Sequence, residues 1–114
     1  MRQLEHGDLT RNEHQALAEL RRRLVEGFRT EAIVLYGSGA RGEADAESDL
    51  DLLILTAEPH SRRERHKITD LIFEINLRYD TNFSSLVIDR DCWETGVVSV
   101  LPIRDEILRD GILV

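Results

Sequence analysis

Apolar positions recur along this chain in two rhythms, and each predicts a different element. From Arg11 to Phe28, the residues Leu17, Leu20, Leu24, Val25 and Phe28 return every third or fourth place, which puts them on one stripe of a helix. Thr10 and Glu13 stand at capping-box spacing and predict its start near Arg11, while Gly27 lies near its end. A longer helix is predicted from His60 to Asp80, with Ile68, Leu71, Ile72, Ile75 and Tyr79 on one stripe. Phe73 and Leu77 fall on its other side; a seat under the C-terminal segment and an interface with a partner both fit that pair. Pro102 and Gly111 bracket a last helix, Leu101 to Asp110.

The other rhythm belongs to strands. Ala32 to Tyr36 is continuously apolar and predicts a strand buried on both faces. Leu50, Leu52 and Ile54 alternate with Asp49, Asp51, Leu53 and Leu55 in a second strand, and Asn82 to Ile88 is a third. A βαβ crossover takes at least ~10–12 residues including its helix. The link after Tyr36 is too short for one, so the second strand runs antiparallel to the first. The long helix before the third strand makes it parallel to the second. Asp89 or Asp91 caps a short turn around Trp93, and Ile112 to Val114 form an extended tail. The expected fold is α/β: a small mixed sheet of three strands flanked by helices, ordered helix, strand, short helix, strand, helix, strand, helix.

Composition narrows the setting. With 114 residues, the chain fits a single domain, 1–114. At 41% hydrophobic and 32% charged, it has a globular composition, with no apolar run near the ~20 residues of a membrane span. The N-terminus carries no apolar signal region, so a cytoplasmic protein is expected. A single cysteine, Cys92, leaves no internal disulfide and no multi-cysteine metal site. The net charge of −7 argues against a broad nucleic-acid footprint. The basic runs Arg21–Arg23 and Arg62–Lys67 are expected as solvated helix faces, and His60 and His66 as surface histidines.

The chemistry concentrates between Val34 and Leu55, VLYGSGARGEADAESDLDLLIL. Asp49 and Asp51, one residue apart on a strand, share a face with about 6.6 Å between them along the chain. Carboxylates so placed at the mouth of a buried strand repel each other unless a cation lies between them. Hard oxygen ligands suit Mg²⁺, which takes one or two carboxylates plus substrate phosphates. Gly37-Ser38 offers backbone N–H groups and a hydroxyl to a phosphate, as at a helix start. Antiparallel pairing brings that bend beside the aspartates. Gly37, Gly39 and Gly42 also match the dinucleotide fingerprint G-x-G-x-x-G, but too few residues follow for the crossover helix it requires. No lysine follows the glycines, so this is no Walker A loop.

This constellation resembles the nucleotidyltransferase superfamily of DNA polymerase β. The string GSGARGEADAESDLDLLIL is similar to its minimal nucleotidyltransferase (MNT) branch through Gly37, Ser38, Ala40, Arg41, Gly42, Ala44, Ser48, Asp49, Asp51 and Leu52. The resemblance implies a polymerase β-like core and Mg²⁺-dependent transfer of a nucleoside monophosphate, AMP from ATP by default, to an acceptor hydroxyl. Asp49 and Asp51 would be catalytic and hold one or two Mg²⁺. Gly37, Ser38 and Arg41 would bind the nucleotide's phosphates, and Ser48 would orient the turn before Asp49.

Superfamily members that catalyse transfer carry a third carboxylate on the neighbouring strand. Here the matching position is Ser84, which cannot act as a general base near neutral pH. Asp80 and Asp89 flank that strand but are better explained as helix-end and turn residues; Glu43 and Glu47 would serve only if the loop folds back. MNT proteins commonly pair with a HEPN-domain protein as antitoxin and toxin, so the resemblance implies AMP transfer onto such a partner. Two alternatives remain: a weakly catalytic module that masks its partner, and an aminoglycoside-type transferase acting on a small molecule. So small a core leaves acceptor binding to the acceptor itself or to a second subunit, and oligomeric state stays open.

Overall fold

The computed structural model describes residues 1–43, 45 and 48–114. Ala44 and Glu47, both singled out above, lie outside the described residues. The strands are β1 (Arg2–Gln3), β2 (Thr30–Tyr36), β3 (Leu50–Thr56), β4 (Phe83–Asp89) and β5 (Ile112–Leu113), and the helices are α1 (Arg11–Gly27), α2 (Arg62–Tyr79), α3 (Arg90–Glu94) and α4 (Pro102–Asp110). Short 3-10 turns occupy His6–Asp8 and Val97–Val100. The fold is α/β, as expected.

Both long helices begin on a complete capping box. Thr10 Oγ1 accepts from Glu13 N–H (3.2 Å) while Glu13 Oε1 accepts from Thr10 N–H (2.8 Å). Ser61 and Glu64 repeat the arrangement at 3.1 Å each way, so α2 starts at Arg62, two residues later than the apolar stripe alone predicts.

The sheet runs β1-β5-β2-β3-β4. β2 and β3 pair antiparallel and β3 and β4 parallel, both as expected. The three expected strands gain two partners of two residues each: β5 pairs with β2, and β1 with β5. Among the described residues of the link after β2 the expected short helix is not found; residues 37–42 are consecutive turns.

Alternation sends the two faces of the sheet to different cores. Ile33, Leu35, Leu50, Leu52 and Ile54 pack under α1 and α2, with Leu17, Leu20, Leu24, Ile68 and Ile75. On the other face Val34, Leu53 and Ile88 meet Trp93 of α3 and Ile107 of α4. Asp89 caps α3 by accepting from Cys92 N–H (3.1 Å), which decides between it and Asp91. The edge strand β4 is tied to α2 by Asn76, whose Nδ2 donates to Phe83 C=O and whose Oδ1 accepts from Phe83 N–H, both at 2.9 Å.

Four surface expectations change. Val25, at the margin of its stripe, is 45% exposed. The His60 side chain is buried: its Nε2 donates to Phe28 C=O (2.6 Å), and its Nδ1 lies 3.2 Å from Glu64. Arg23 is not merely solvated but joins α1 to α2 through Glu74 (2.5 Å). The C-terminal strand lies beside β2, so it does not cover Phe73 and Leu77, which are 65% and 71% exposed. His66 and the run from Arg62 to Arg63 are exposed as expected. Among the described residues no helix is long and apolar enough to cross a membrane.

Candidate active site

β2 ends at Tyr36, which stands opposite Asp51 in the antiparallel ladder. The next residue, Gly37, has φ +73°, a conformation that costs a side-chain-bearing residue about 1 kcal/mol or more. A Cβ on Gly37 would also stand 2.8 Å from Asp51 Oδ2, so that carboxylate would have to turn away to admit it. The bend and the carboxylate are in contact. The loop folds back through Arg41 N–H to Gly37 C=O (3.2 Å) and Glu43 N–H to Ser38 C=O (2.9 Å). Among the described residues no protein group bonds the Ser38 hydroxyl.

β4 closes the other side. Asp51 faces Ser84 in the parallel ladder, and Ser84 Oγ donates to Asp51 Oδ1 (2.8 Å). One step earlier, Asn82 Nδ2 donates to Asp49 Oδ1 (2.6 Å). Each aspartate therefore has one oxygen fixed by a neutral donor. The other, Oδ2, meets no protein donor among the described residues. Asp51 is half-buried and Asp49 exposed.

This pair passes a simple test for a divalent cation. Two carboxylates, each with an oxygen left over, match the small protein share of a Mg²⁺ shell completed by water and phosphate. Among the described residues no group of three or more His, Cys, Asp or Glu gathers, so none of them adds a third carboxylate to the pair. Asp80 is the left-handed cap of α2 (φ +54°) and Asp89 the cap of α3, which leaves neither at the site. Glu43 is engaged by Arg41 Nε (3.3 Å).

Sequence reasoning missed three residues here. Asn82 was within reach of it, since it precedes Ser84 by two as Asp49 precedes Asp51, one place before the ladder begins at Leu50 and Phe83. Tyr36 shares the row of Asp51; burial, with the charges of Asp51 and Glu106 behind it, pushes its phenol above the ordinary tyrosine range. Glu106 arrives from α4 and accepts from Arg41 Nη1 (3.2 Å), and no local pattern signals that contact. Arg41 thus lies between two carboxylates, which raise its already high pKa, Glu43 first. Ser48 Oγ donates to Asp45 Oδ1 (3.0 Å) and accepts from Asp45 N–H (3.2 Å), shaping the turn before Asp49.

A cleft of about 500 Å³ runs beside the loop, between Gly39, Gly42 and Asp45 and the segment Gly7–Thr10. Leu50 lines it and points to the α1–α2 side, so this cleft lies across the sheet from Asp51.

The nucleotidyltransferase domain family matches residues 17–105, which include the bend, both aspartates and Ser84. The chain belongs to that family. This nucleotidyltransferase is 40% identical over 55 residues to a protein of Methanocaldococcus jannaschii named "putative protein adenylyltransferase", a match covering 48% of this chain and 56% of that one. The chain spans about half the length of the curated relatives it matches. Solved structures share the fold. One, a "putative minimal nucleotidyltransferase", superposes with a TM-score of 0.60 at 23% identity, covering 96% of this chain and 98% of that one. Another, a toxin–antitoxin structure with AMP-PNP, gives 0.60 at 15% identity over 91% of this chain and 72% of that one.

Proposed function

We propose that this nucleotidyltransferase moves AMP from ATP onto a hydroxyl of a partner protein, and that the partner is a HEPN-domain toxin it neutralises. The observation that carries the reading is the closeness of Gly37 to Asp51, which sets the glycine bend against a metal-type carboxylate. The protein-adenylyltransferase relatives and the toxin–antitoxin likeness support the choice of acceptor.

Asp49 and Asp51 would hold one or two Mg²⁺, whose chemistry there is charge neutralisation and alignment of the triphosphate. The remaining work falls to the chain. Gly37 and Ser38 bind the β and γ phosphates through backbone N–H groups and the free hydroxyl. Arg41 neutralises phosphate charge, and Ser48 fixes the turn that presents Asp49. Asn82 and Ser84 hold the two carboxylates in one rotamer, so their outer oxygens stay aimed at the ligand. The acceptor oxygen bonds to the α phosphorus as the bond to the β-phosphate oxygen breaks, and pyrophosphate leaves. With serine at position 84, the hydroxyl proton passes to water.

The missing carboxylate favours a second reading, in which the nucleotidyltransferase binds nucleotide weakly and neutralises its partner by covering it. One experiment separates them. The complex is incubated with α-labelled ATP and Mg²⁺, and the partner's mass and activity are followed. The transfer reading expects addition of AMP to the partner and its loss in Asp49→Asn and Asp51→Asn. If both variants neutralise the partner as well as the native chain does, masking is the function.

A further inference from the structure

Arg41 and Glu106 are 65 residues apart in the chain and 3.2 Å apart in space. Arg41 belongs to the glycine bend, because its own N–H bonds to Gly37 C=O. Glu106 belongs to α4, and the neighbouring Ile107, fully buried against Val34 and Leu53, fixes that helix on the sheet. Tyr36, the ladder partner of Asp51, feels the charges of both Asp51 and Glu106. A guanidinium offers the same fork of N–H donors to a carboxylate and to a phosphate. At Arg41 two of those donors, Nε and Nη1, are held by Glu43 and Glu106.

We propose that Glu106 is a positioning residue that sets this enzyme's affinity for the polyphosphate of its nucleotide, by occupying Arg41 until phosphate displaces it. The inference rests on the reading of Gly37, Ser38 and Arg41 as the phosphate cradle. Magnitude makes the contact an exchangeable one. The side chains of Arg41 and Glu106 are 35% and 38% exposed, and ion pairs at such exposure are weak and screened. A triphosphate brings several charges to the same guanidinium and wins it. The cost of release then appears as a weaker apparent affinity, so removing the competitor tightens binding.

A plain field effect predicts something different. Arg109 also lies within the influence of Glu106 and of Arg41, and with Arg41 it lines a cleft of about 430 Å³ with Arg2 and Gly111. If Glu106 merely lowered the local potential, its removal would favour any anion whether or not Arg41 were present.

The test is a double-mutant cycle on the full chain, with the Kd of AMP-PNP in Mg²⁺ read by calorimetry so that turnover does not intervene. Glu106→Gln is expected to tighten binding about two- to five-fold in the native background, the range of an exposed pair. In an Arg41→Ala background the same change is expected to do nothing, and Glu106→Asp, which keeps the charge, is expected to bind as the native chain does. Glu106 is half-exposed, and circular dichroism verifies that each variant folds. Equal tightening in both backgrounds, or weaker binding in Glu106→Gln, overturns the proposal while leaving the cradle intact. Failure of the native chain to bind AMP-PNP at all overturns both.

Discussion

Ser84 Oγ and Asp51 Oδ1 are joined by a 2.8 Å hydrogen bond across two parallel strands. The family resemblance leads one to expect an acid at this position; the serine instead gives Asp51 a donor in place of a rival charge. Two carboxylates facing each other at this distance would repel unless a cation joined them. The hydroxyl lets Asp51 keep its rotamer with or without metal.

Restoring the acid therefore has a two-sided outcome. Ser84→Asp is expected to lower the Tm when divalent cations are removed and to recover it in millimolar Mg²⁺, with a larger Mg²⁺ shift than the native chain shows. Transfer to the acceptor is expected to rise, with general-base catalysis worth up to 10²–10⁴-fold. Thermal unfolding with and without Mg²⁺ decides it; a variant whose Tm ignores the metal would place position 84 outside the metal's reach.

Gly37→Ala brings together two penalties, a left-handed backbone and a Cβ 2.8 Å from Asp51 Oδ2. The expected loss of stability is about 1–3 kcal/mol. Gly42→Ala has the same φ of +73° with open space around its Cβ, so its loss is expected to be smaller and its nucleotide affinity unchanged. Urea unfolding of the two variants, side by side, isolates the clash from the strain.

Ile107→Ala is expected to cost about 2–5 kcal/mol, as for other fully buried aliphatic side chains. Ile107 is the one residue of α4 buried in the smaller core, so α4 should loosen before the rest. Hydrogen exchange is expected to reveal faster amides in Pro102–Asp110 while α1 and α2 keep their protection.

Arg2 grips Asp8 with both ends of its guanidinium, at 2.8 and 2.5 Å. That bond holds the Asp8 carboxyl at about 2, below its ordinary 3.8. A lowered folded-state pKa stabilises the protein above the ordinary value and ceases to do so as the pH falls from about 4 to about 2. Asp8→Asn is expected to flatten that part of the stability curve without altering it near neutrality beyond the lost ion pair. Thermal unfolding from pH 5 to pH 2 measures it.

Much of this could be read from the residues, where a local rule had no competitor. The capping pair Thr10–Glu13 needed nothing but spacing. The antiparallel turn after Tyr36 followed from a link too short to hold a crossover helix, and the parallel β4 from a link long enough for one. Ser84 was singled out through the family resemblance, which points to a position early in the third strand, and the parallel ladder sets it opposite Asp51. What escaped had no period to betray it. Two residues are too few for alternation, so β1 was invisible and β5 was foreseen only as an extended tail, without its place in the sheet. His60 looked like a surface residue because its partner, the carbonyl of Phe28, is backbone exposed only by the bend at Arg29 (φ +51°). Glu106 reaches the site by how α4 lies on the sheet, a matter of packing that no spacing encodes.

The amide of Asn76 has a consequence for how an acceptor arrives. Leu50 N–H bonds to Asn82 C=O, so the peptide groups of Phe83 turn outward from β3, and Asn76 takes both. The outer rim of the sheet is plugged at the rung nearest Ser84. A visiting chain finds no place there to zip on as an extra strand. Under the proposed reaction the target's hydroxyl then reaches Asp51 from the face between the glycine bend and α4, not as a strand added at that rung.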